Sequence, residues 1–246
     1  MRILVVSIII ATIFLLFFGC ASVQRKLLYF PTHEPGSNGL TEWRSHDQLI
    51  GFSREVPSPK NIWLLIHGNG GQAALRTYAL PSFSDHDSVF ILEYPGYGVR
   101  TGVPSRAAFD AATKQAYAIL REKFPTHPIC AAGESIGSGP ASMLTNELHP
   151  PDKLVLIVPF DVLSKVASDH FPFLPTGLLL HDNWNNIEAL VKYEGPLEIF
   201  GAKDDTVIPI THAKALAATK PKALFHEIDG GHNDWSVGAK VQIRNP

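Results

Sequence analysis

Ser135 stands at the centre of Gly133-Glu134-Ser135-Ile136-Gly137, between the apolar run PICAA and the helix-like stretch SGPASMLTNEL. A serine hydroxyl becomes a useful nucleophile only when a base takes its proton, and the base needs a third group to fix its tautomer. Both kinds of partner occur in short loops that follow apolar runs: His232 in GGHND after ALFHEID, and Asp204 in GAKDD after PLEIF. A fourth loop of this kind, HGNGG after NIWLLI, is glycine-rich and offers the backbone N–H of Asn69. With the N–H of Ile136 it would supply the two donors that a tetrahedral oxyanion needs, each worth ~2.7–4 kcal/mol. The chemistry open to this set is acyl transfer, with Ser135 attacking, His232 acting first as base and then as acid, and water releasing the product.

The elbow pattern is moderately specific, since roughly 0.1 occurrences are expected by chance at average glycine and serine usage. Its position between a strand-like and a helix-like stretch adds weight. A serine on such a turn holds strained backbone angles among crowded neighbours, so small residues are needed two before and two after it, as Gly133 and Gly137 are. The adjacent Asp204 and Asp205 both follow the PLEIF run. Glu134 reads as a packing or solvent residue, and His67 as a support of the HGNGG turn by hydrogen bonding. No other histidine has a partner at metal spacing and no H-E-x-x-H occurs, so no metal is expected. HGNGGQAA lacks the Gly-Lys-Ser/Thr of a phosphate-binding loop, and no strand-like run is followed by G-x-G-x-x-G. Nucleotide binding is therefore not expected.

The elements that would hold these residues read as alternating short β-rich runs and helix-like stretches, the pattern of a parallel sheet with crossover helices. The strands are predicted in RKLLYF, EWRSH, IGFSREV, NIWLLIH, SVFILEY, PICAAGE, KLVLIVP, PLEIFGA and ALFHEID. The first three alternate with polar residues and form an antiparallel edge, whereas the later, continuously apolar runs suit strands covered on both faces. Phe109, Ala116, Leu120 and Phe124 recur at helical spacing between Pro104-Ser105 and Pro125. Further helices are predicted from about Ile136 to Leu148 and in THAKALAATK after Pro209. Residues 161–190, with FPFLPTGLLLHDNW, exceed an ordinary connection and read as a short cap over a pocket. In an open α/β sheet ligands gather beyond the carboxyl ends of the strands, and all four loops carrying candidate residues lie there.

The 246 residues, 45% hydrophobic and 18% charged, suit one sizeable core. A net charge of -2 without a Lys/Arg block makes nucleic acid an unexpected partner. Residues 1–26 read separately: Arg2 is followed by an apolar run from Ile3 to Phe18, which targets or anchors the chain at a membrane. Three forms are open. FFGCAS resembles a bacterial lipobox in which Cys20 is lipidated, leaving the protein facing the periplasm or cell exterior. The run extended through Val23 could serve as a single-pass anchor, a span needing about 20 apolar residues. Gly19 and Ala21 also permit signal cleavage after Ala21, giving a secreted protein. Cys130 lies in an apolar run and reads as a small core residue.

Taken together, LLIHGNGG, EYPGYGVRTGVPS, AAGESIGSGPAS, FPFLPTGLLLHDNWNNIEAL, IFGAKDDTVIP and GGHND resemble the α/β-hydrolase superfamily, and within it the Bem46/ABHD13- and ABHD17-like serine hydrolases. The resemblance runs from Leu27 to about Asp234. It implies the α/β-hydrolase fold over 27–246: a mostly parallel central sheet with an antiparallel N-terminal edge, helices on both faces and the cap at about 161–190. It also implies a Ser135, Asp204, His232 triad acting on an ester or thioester, without metal or organic cofactor. The G-x-x-D spacing from Gly201 selects Asp204 over Asp205. Gly98-Val99-Arg100-Thr101 departs from the family's pattern and leaves that loop without an assigned role. The expected protein is thus a membrane-associated serine hydrolase with a small-molecule or acyl-chain substrate. A peptidase or amidase using the same triad, or a membrane-tethered scaffold without turnover, are the alternatives.

Overall fold

The computed structural model describes residues 22–243, so the run from Ile3 to Phe18 and Cys20 lie outside the described residues. Eight runs rich in β-branched and aromatic residues form one sheet: β1 (Thr41–Ser45), β2 (Gln48–Arg54), β3 (Ile62–Ile66), β4 (Ser88–Leu92), β5 (Ile129–Glu134), β6 (Leu154–Ile157), β7 (Leu197–Ala202) and β8 (Leu224–Ile228). Their spatial order is β1-β2-β4-β3-β5-β6-β7-β8. β1 and β2 pair antiparallel, β2 joins β4 antiparallel, and every later pair is parallel.

Every residue of β3 to β7 is buried, which explains why their sequences are continuously apolar rather than alternating. The period of two survives in the partition between faces. Ile62, Leu64 and Ile66 join one core with Phe109, Ala116 and Leu120 of α1 (Arg106–Lys123), whereas Trp63 and Leu65 join the other with Ala73, Ala79 and Trp235. The first face is covered by α1, α2 (Ser138–Met143), α3 (Leu163–His170), α4 (Asn186–Leu190) and α5 (Ile210–Ala218). The second is covered by helical turns over Ala73–Ser82 and by Trp235, Val241 and Ile243 near the C-terminus. Cys130 is buried in the second core, and burial pushes its thiol up to about 12, as suits an inert packing residue.

Local chemistry sets the helix ends. The Ser105 hydroxyl accepts from Ala108 N at 3.2 Å, capping α1. The helix predicted from Ile136 to Leu148 is instead divided, with α2 flanked by tight turns at Ser135–Gly137 and Leu144–Asn146. A Cβ at Gly139 would lie 2.6 Å from Trp184 Cγ, so this glycine lets α2 pack closely, and Thr145 Oγ1 donates to Ser142 O and Ala189 O at its end.

RKLLYF is not a strand. Residues 22–28 are helical, and only Phe30–Pro31 pairs, parallel, with Gly70–Gly71. Gln24, Arg25 and Leu28 fall on the half-buried side of this helix. Gln24 Nε2 donates to Leu179 O at 2.7 Å and Arg25 Nε to Asp182 Oδ2 at 3.1 Å, so contacts with the 179–182 segment hold a conformation that local β propensity does not. Among the described residues no helix is long and apolar enough to cross a membrane.

Candidate active site

Ser135 is the residue at which β5 turns toward α2, and its φ is +53°. A left-handed backbone costs a side-chain-bearing residue ~1–2 kcal/mol, and its surroundings hold it there. A Cβ at Gly137 would lie 2.1 Å from Ile66 O, and one at Gly133 would lie 2.6 Å from Ala141 Cβ. Neither position admits a side chain without moving backbone, which is the steric reason for the spacing of the two glycines. Ser138 Oγ donates to Ser135 O at 2.6 Å, and Asn186 Nδ2 donates to Ser138 Oγ at 3.1 Å and to Phe160 O at 2.8 Å.

The loops after β7 and β8 bring the other two groups. His232 Nε2 lies 2.8 Å from Ser135 Oγ, and His232 Nδ1 lies 2.7 Å from Asp205 Oδ2. The carboxylate at the imidazole is therefore Asp205, a correction to the expected Asp204. Beyond β7 the ladder continues for two residues, with Lys203 N donating to Ile228 O and Asp204 N to Gly230 O. Asp204 is consequently held by its backbone while its side chain is exposed, and the next residue turns inward. Asp205 is buried, and its Oδ1 accepts from Val207 N and Ile208 N, both at 2.8 Å. Counting from Gly201 missed this by one. The usable signal was the Asp-x-Val-Ile-Pro sequence, in which a carboxylate accepts from the N–H groups two and three residues on before Pro209 opens a helix.

Asn69 and Ile136 line the same cavity of about 600 Å³ as Ser135 and His232. The Asn69 side chain accepts from Phe30 N at 3.3 Å and from Tyr97 Oη at 3.0 Å, and its Nδ2 donates to Leu28 O. Ile136 lies in the first turn after β5, where helical N–H groups lack intrahelical partners. His67 supports the turn, with Nδ1 2.7 Å from Gly68 O; burial, reinforced by Arg76, keeps its imidazole neutral by lowering its pKa.

Glu134 is neither a solvent residue nor passive packing. Its buried carboxylate accepts from Gly68 N at 2.9 Å, Trp235 Nε1 at 3.1 Å and Tyr78 Oη at 3.1 Å. Burial pushes its pKa up, but the neighbouring Arg76 and the Gly68 and Trp235 donors outweigh this and hold it below the usual glutamate value. Arg76 donates in turn to Tyr78 Oη at 2.6 Å, to Gly68 O at 3.2 Å and to Gly70 O. No spacing signal could have exposed this network, because its members come from the loop after β3, the end of β5 and the loop after β8. The loop at 98–101, left without a role by the sequence, ties two strands together: Arg100 Nη1 donates to Glu93 O at 2.8 Å and Ile50 O at 3.3 Å.

The apolar part of the cavity lining comes from α3 and the segment around it: Leu163, Val166, Ala167, Phe171 and Leu180, with Leu28 from the N-terminal side. No group of His, Cys, Asp and Glu among the described residues could hold a metal ion. The arrangement can activate a hydroxyl and receive an apolar group beside it.

No family model matches the chain. The chain is 30% identical to the uncharacterized protein Rv2307c of Mycobacterium tuberculosis over 87% of its own length and 82% of that protein's. It is 29% identical to alpha/beta hydrolase domain-containing protein 17C of Homo sapiens, over 81% of this chain but only 62% of that relative. Among solved structures, the esterase Pf2001 of Pyrococcus furiosus superposes with a TM-score of 0.64 at 15% identity, covering 86% of this chain and 94% of that one, a likeness of fold. Strand order, elbow and relatives agree, and the chain belongs to the α/β-hydrolase family.

Proposed function

We propose that this α/β hydrolase is a membrane-associated serine hydrolase that cleaves carboxylic ester or thioester bonds through Ser135, His232 and Asp205. The observation that carries the reading is the unbroken line of contacts from Ser135 Oγ to His232 Nε2 at 2.8 Å and from His232 Nδ1 to Asp205 Oδ2 at 2.7 Å, at the wall of an apolar cavity. Asp205 keeps the proton on Nδ1, so that Nε2 can accept one from Ser135 as Oγ attacks the substrate carbonyl. The backbone N–H groups of Asn69 and Ile136 receive the developing oxyanion. As the intermediate collapses, His232 gives its proton to the departing alcohol or thiol, leaving an acyl group on Ser135. Water, deprotonated by His232, then attacks the acyl-enzyme and releases the carboxylic acid. The apolar wall from Leu163 to Leu180 suits an acyl chain, and membrane association rests on the run from Ile3 to Phe18.

The test is a fluorophosphonate probe on the full chain in detergent. Wild type is expected to be labelled at Ser135 and Ser135→Ala to be silent. A folded wild type that resists the probe would leave a scaffold, not a hydrolase. Esters and thioesters of graded chain length, run beside peptide amides, then separate the leaving-group classes; turnover of amides alone would overturn the ester reading. Intact mass of the membrane fraction reads whether Cys20 carries lipid.

A further inference from the structure

The segment that walls the cavity also carries a set of exposed apolar side chains. Phe173 is 97% exposed and Leu178 is 89% exposed, and Phe171 and Leu174 beside them are more than half exposed. Leu27 and Phe30, exposed to a similar degree, continue the patch from the N-terminal side. Phe171, Leu27 and Phe30 also line the catalytic cavity, so the patch is the rim of its mouth and not a distant surface. A second apolar trough, lined by Val23, Leu27, Phe171, Leu174 and Leu179, runs outward from the same rim. Single exposed apolar side chains are ordinary, but four of them within residues 171–178, beside Leu27 and Phe30 at one cavity mouth, form the kind of patch that marks a partner.

The contacts of the helix at residues 22–28, and the sequence joined to it, point to that partner. Residues 22–28 are tied to the segment bearing the patch by Gln24 to Leu179 O and Arg25 to Asp182, and Val23 lines the outer trough. The apolar run from Ile3 to Phe18 is joined in sequence to this helix through only Gly19, Cys20 and Ala21. A run of that composition seeks a lipid phase, and Lys26, exposed on the same helix, is of the sign that anionic headgroups attract. A second copy seated on this face would cover the mouth above Ser135, whereas a lipid surface would leave it open to molecules residing in that surface.

We infer that the rim formed by Leu27, Phe30, Phe171, Phe173, Leu174 and Leu178 docks on a lipid bilayer, so that the catalytic cavity opens into the acyl-chain region and receives its substrate laterally from the membrane. The inference rests on the proposed membrane association and sharpens it from a tether into an orientation.

The four native tryptophans, Trp43, Trp63, Trp184 and Trp235, are all buried and emit as a common background, so the difference between variant and wild-type spectra taken in the same vesicles reports the introduced tryptophan. Full-length Phe173→Trp and Leu148→Trp would be reconstituted in phosphatidylcholine–phosphatidylglycerol vesicles with and without acyl-chain-brominated lipid. Leu148 is also exposed but precedes β6, at the opposite end of the strands from the cavity. The Phe173→Trp emission is expected to shift to the blue and be quenched by brominated lipid, with Leu148→Trp unaffected. Equal quenching of both, or of neither in protein that floats with the vesicles, overturns the docking. Protein that does not float overturns the membrane association and the docking with it. A Phe173→Ser/Leu178→Ser variant supplies the functional arm: its turnover of a long-chain ester held in vesicles should fall about tenfold or more. Fluorophosphonate labelling and turnover of a short soluble ester should not change. Equal loss on both substrates would overturn the docking, and absent labelling in wild type would instead count against the hydrolase reading.

Discussion

Replacing Asp205 by asparagine separates the charge of this group from its shape. In the native site Oδ1 accepts from two backbone donors, Val207 N and Ile208 N, and Oδ2 faces His232 Nδ1. An asparagine keeps its oxygen on the side with two donors, because the opposite orientation would set its NH2 against them and leave buried N–H groups unmade at ~1–3 kcal/mol each. The NH2 therefore faces His232 Nδ1, which must accept, so the imidazole proton moves to Nε2. Nε2 then points a hydrogen at Ser135 Oγ and can no longer take the serine proton. The expected loss in kcat is ~10⁴-fold, the magnitude seen when a triad carboxylate is made an amide with its geometry intact, or about 5.5 kcal/mol of barrier. Asp204→Asn is the control, since that side chain is exposed; an exposed substitution stays within about 0.5 kcal/mol in stability. Rates would be measured by fluorophosphonate labelling and by turnover of a short soluble ester, with thermal melts verifying that both variants fold. A silent Asp204→Asn, or an Asp205→Asn that keeps its rate within about tenfold, would refute the assignment.

Ser135→Gly should melt above Ser135→Ala: both lack the hydroxyl, but glycine avoids ~1–2 kcal/mol of left-handed strain at φ +53° and loses only ~0.4–1 kcal/mol through its freer unfolded chain. Two melting curves decide this, and the reverse order would mean the turn stores no strain. Glu134→Ala removes the acceptor of Gly68 N and Trp235 Nε1 and leaves Arg76 buried without its carboxylate. About 2–6 kcal/mol of stability should be lost, at ~1–3 kcal/mol for each of these two buried donors left unmade, lowering the melting temperature by roughly 10 °C, with labelling of Ser135 slowed in the protein that remains folded. His212 joins α5 to α3, with Nδ1 2.7 Å from Asp161 and Nε2 2.8 Å from Asp169, while Lys165 lies 2.6 Å from Asp161. The Asp161 contact, against the opposing effect of burial, raises the His212 pKa above 6.5. Burial pushes Asp161 up, but His212 and Lys165 outweigh it and hold the carboxyl at about 2, below the ordinary 3.8. The raised histidine contributes stability in full below pH 6.5, lost as pH rises through its folded value; the depressed aspartate contributes above pH 3.8, lost as pH falls toward 2. Amide exchange in α3, corrected for its intrinsic pH dependence, should be most protected between those limits and loosen on the alkaline side, and His212→Gln should abolish the alkaline loosening.

The parts legible in the sequence are those whose physics is local. Gly133 and Gly137 flank Ser135 because a Cβ at either would strike backbone or a packed neighbour, and a steric rule of that kind leaves a fixed spacing. The continuous apolar runs of β3 to β7 announce burial on both faces. What could not be read is set by partners far along the chain. Whether Asp204 or Asp205 turns inward is set by the pairing of Lys203 and Asp204 with the end of β8 and its loop, which the KDD triplet does not encode; its one local trace is the downstream Asp-x-Val-Ile-Pro stretch. RKLLYF has the composition of an edge strand, yet Arg25 and Tyr29 find Asp182, the preceding Gln24 finds Leu179 O, and the segment coils to reach them. Glu134 carries no local signal because Gly68, Tyr78 and Trp235, which use its two oxygens, lie at remote and irregular distances in sequence.

That carboxylate explains how two halves of the site on different loops keep one geometry. The parallel ladder between β3 and β5 ends at the pairing of Ile66 with Gly133, and beyond it nothing in a sheet requires the two loops to hold a common register. Glu134 extends the coupling by one step: it is the residue before Ser135, and its Oε2 takes the N–H of Gly68, the residue before Asn69. From the other side Gly137 passes so close to Ile66 O that no side chain fits between them. The proposed nucleophile and one proposed oxyanion donor are thus each one residue removed from the same hydrogen bond, and a shift of either loop must break it. Burying charged groups is a poor way to add stability compared with apolar packing, so Glu134 and Arg76, linked through the Tyr78 hydroxyl, are better understood as a device for position. The same reasoning separates the two groups of variants: changes at Asp205 should alter proton transfer in an intact frame, whereas changes at Glu134 should alter the frame and carry the chemistry with it.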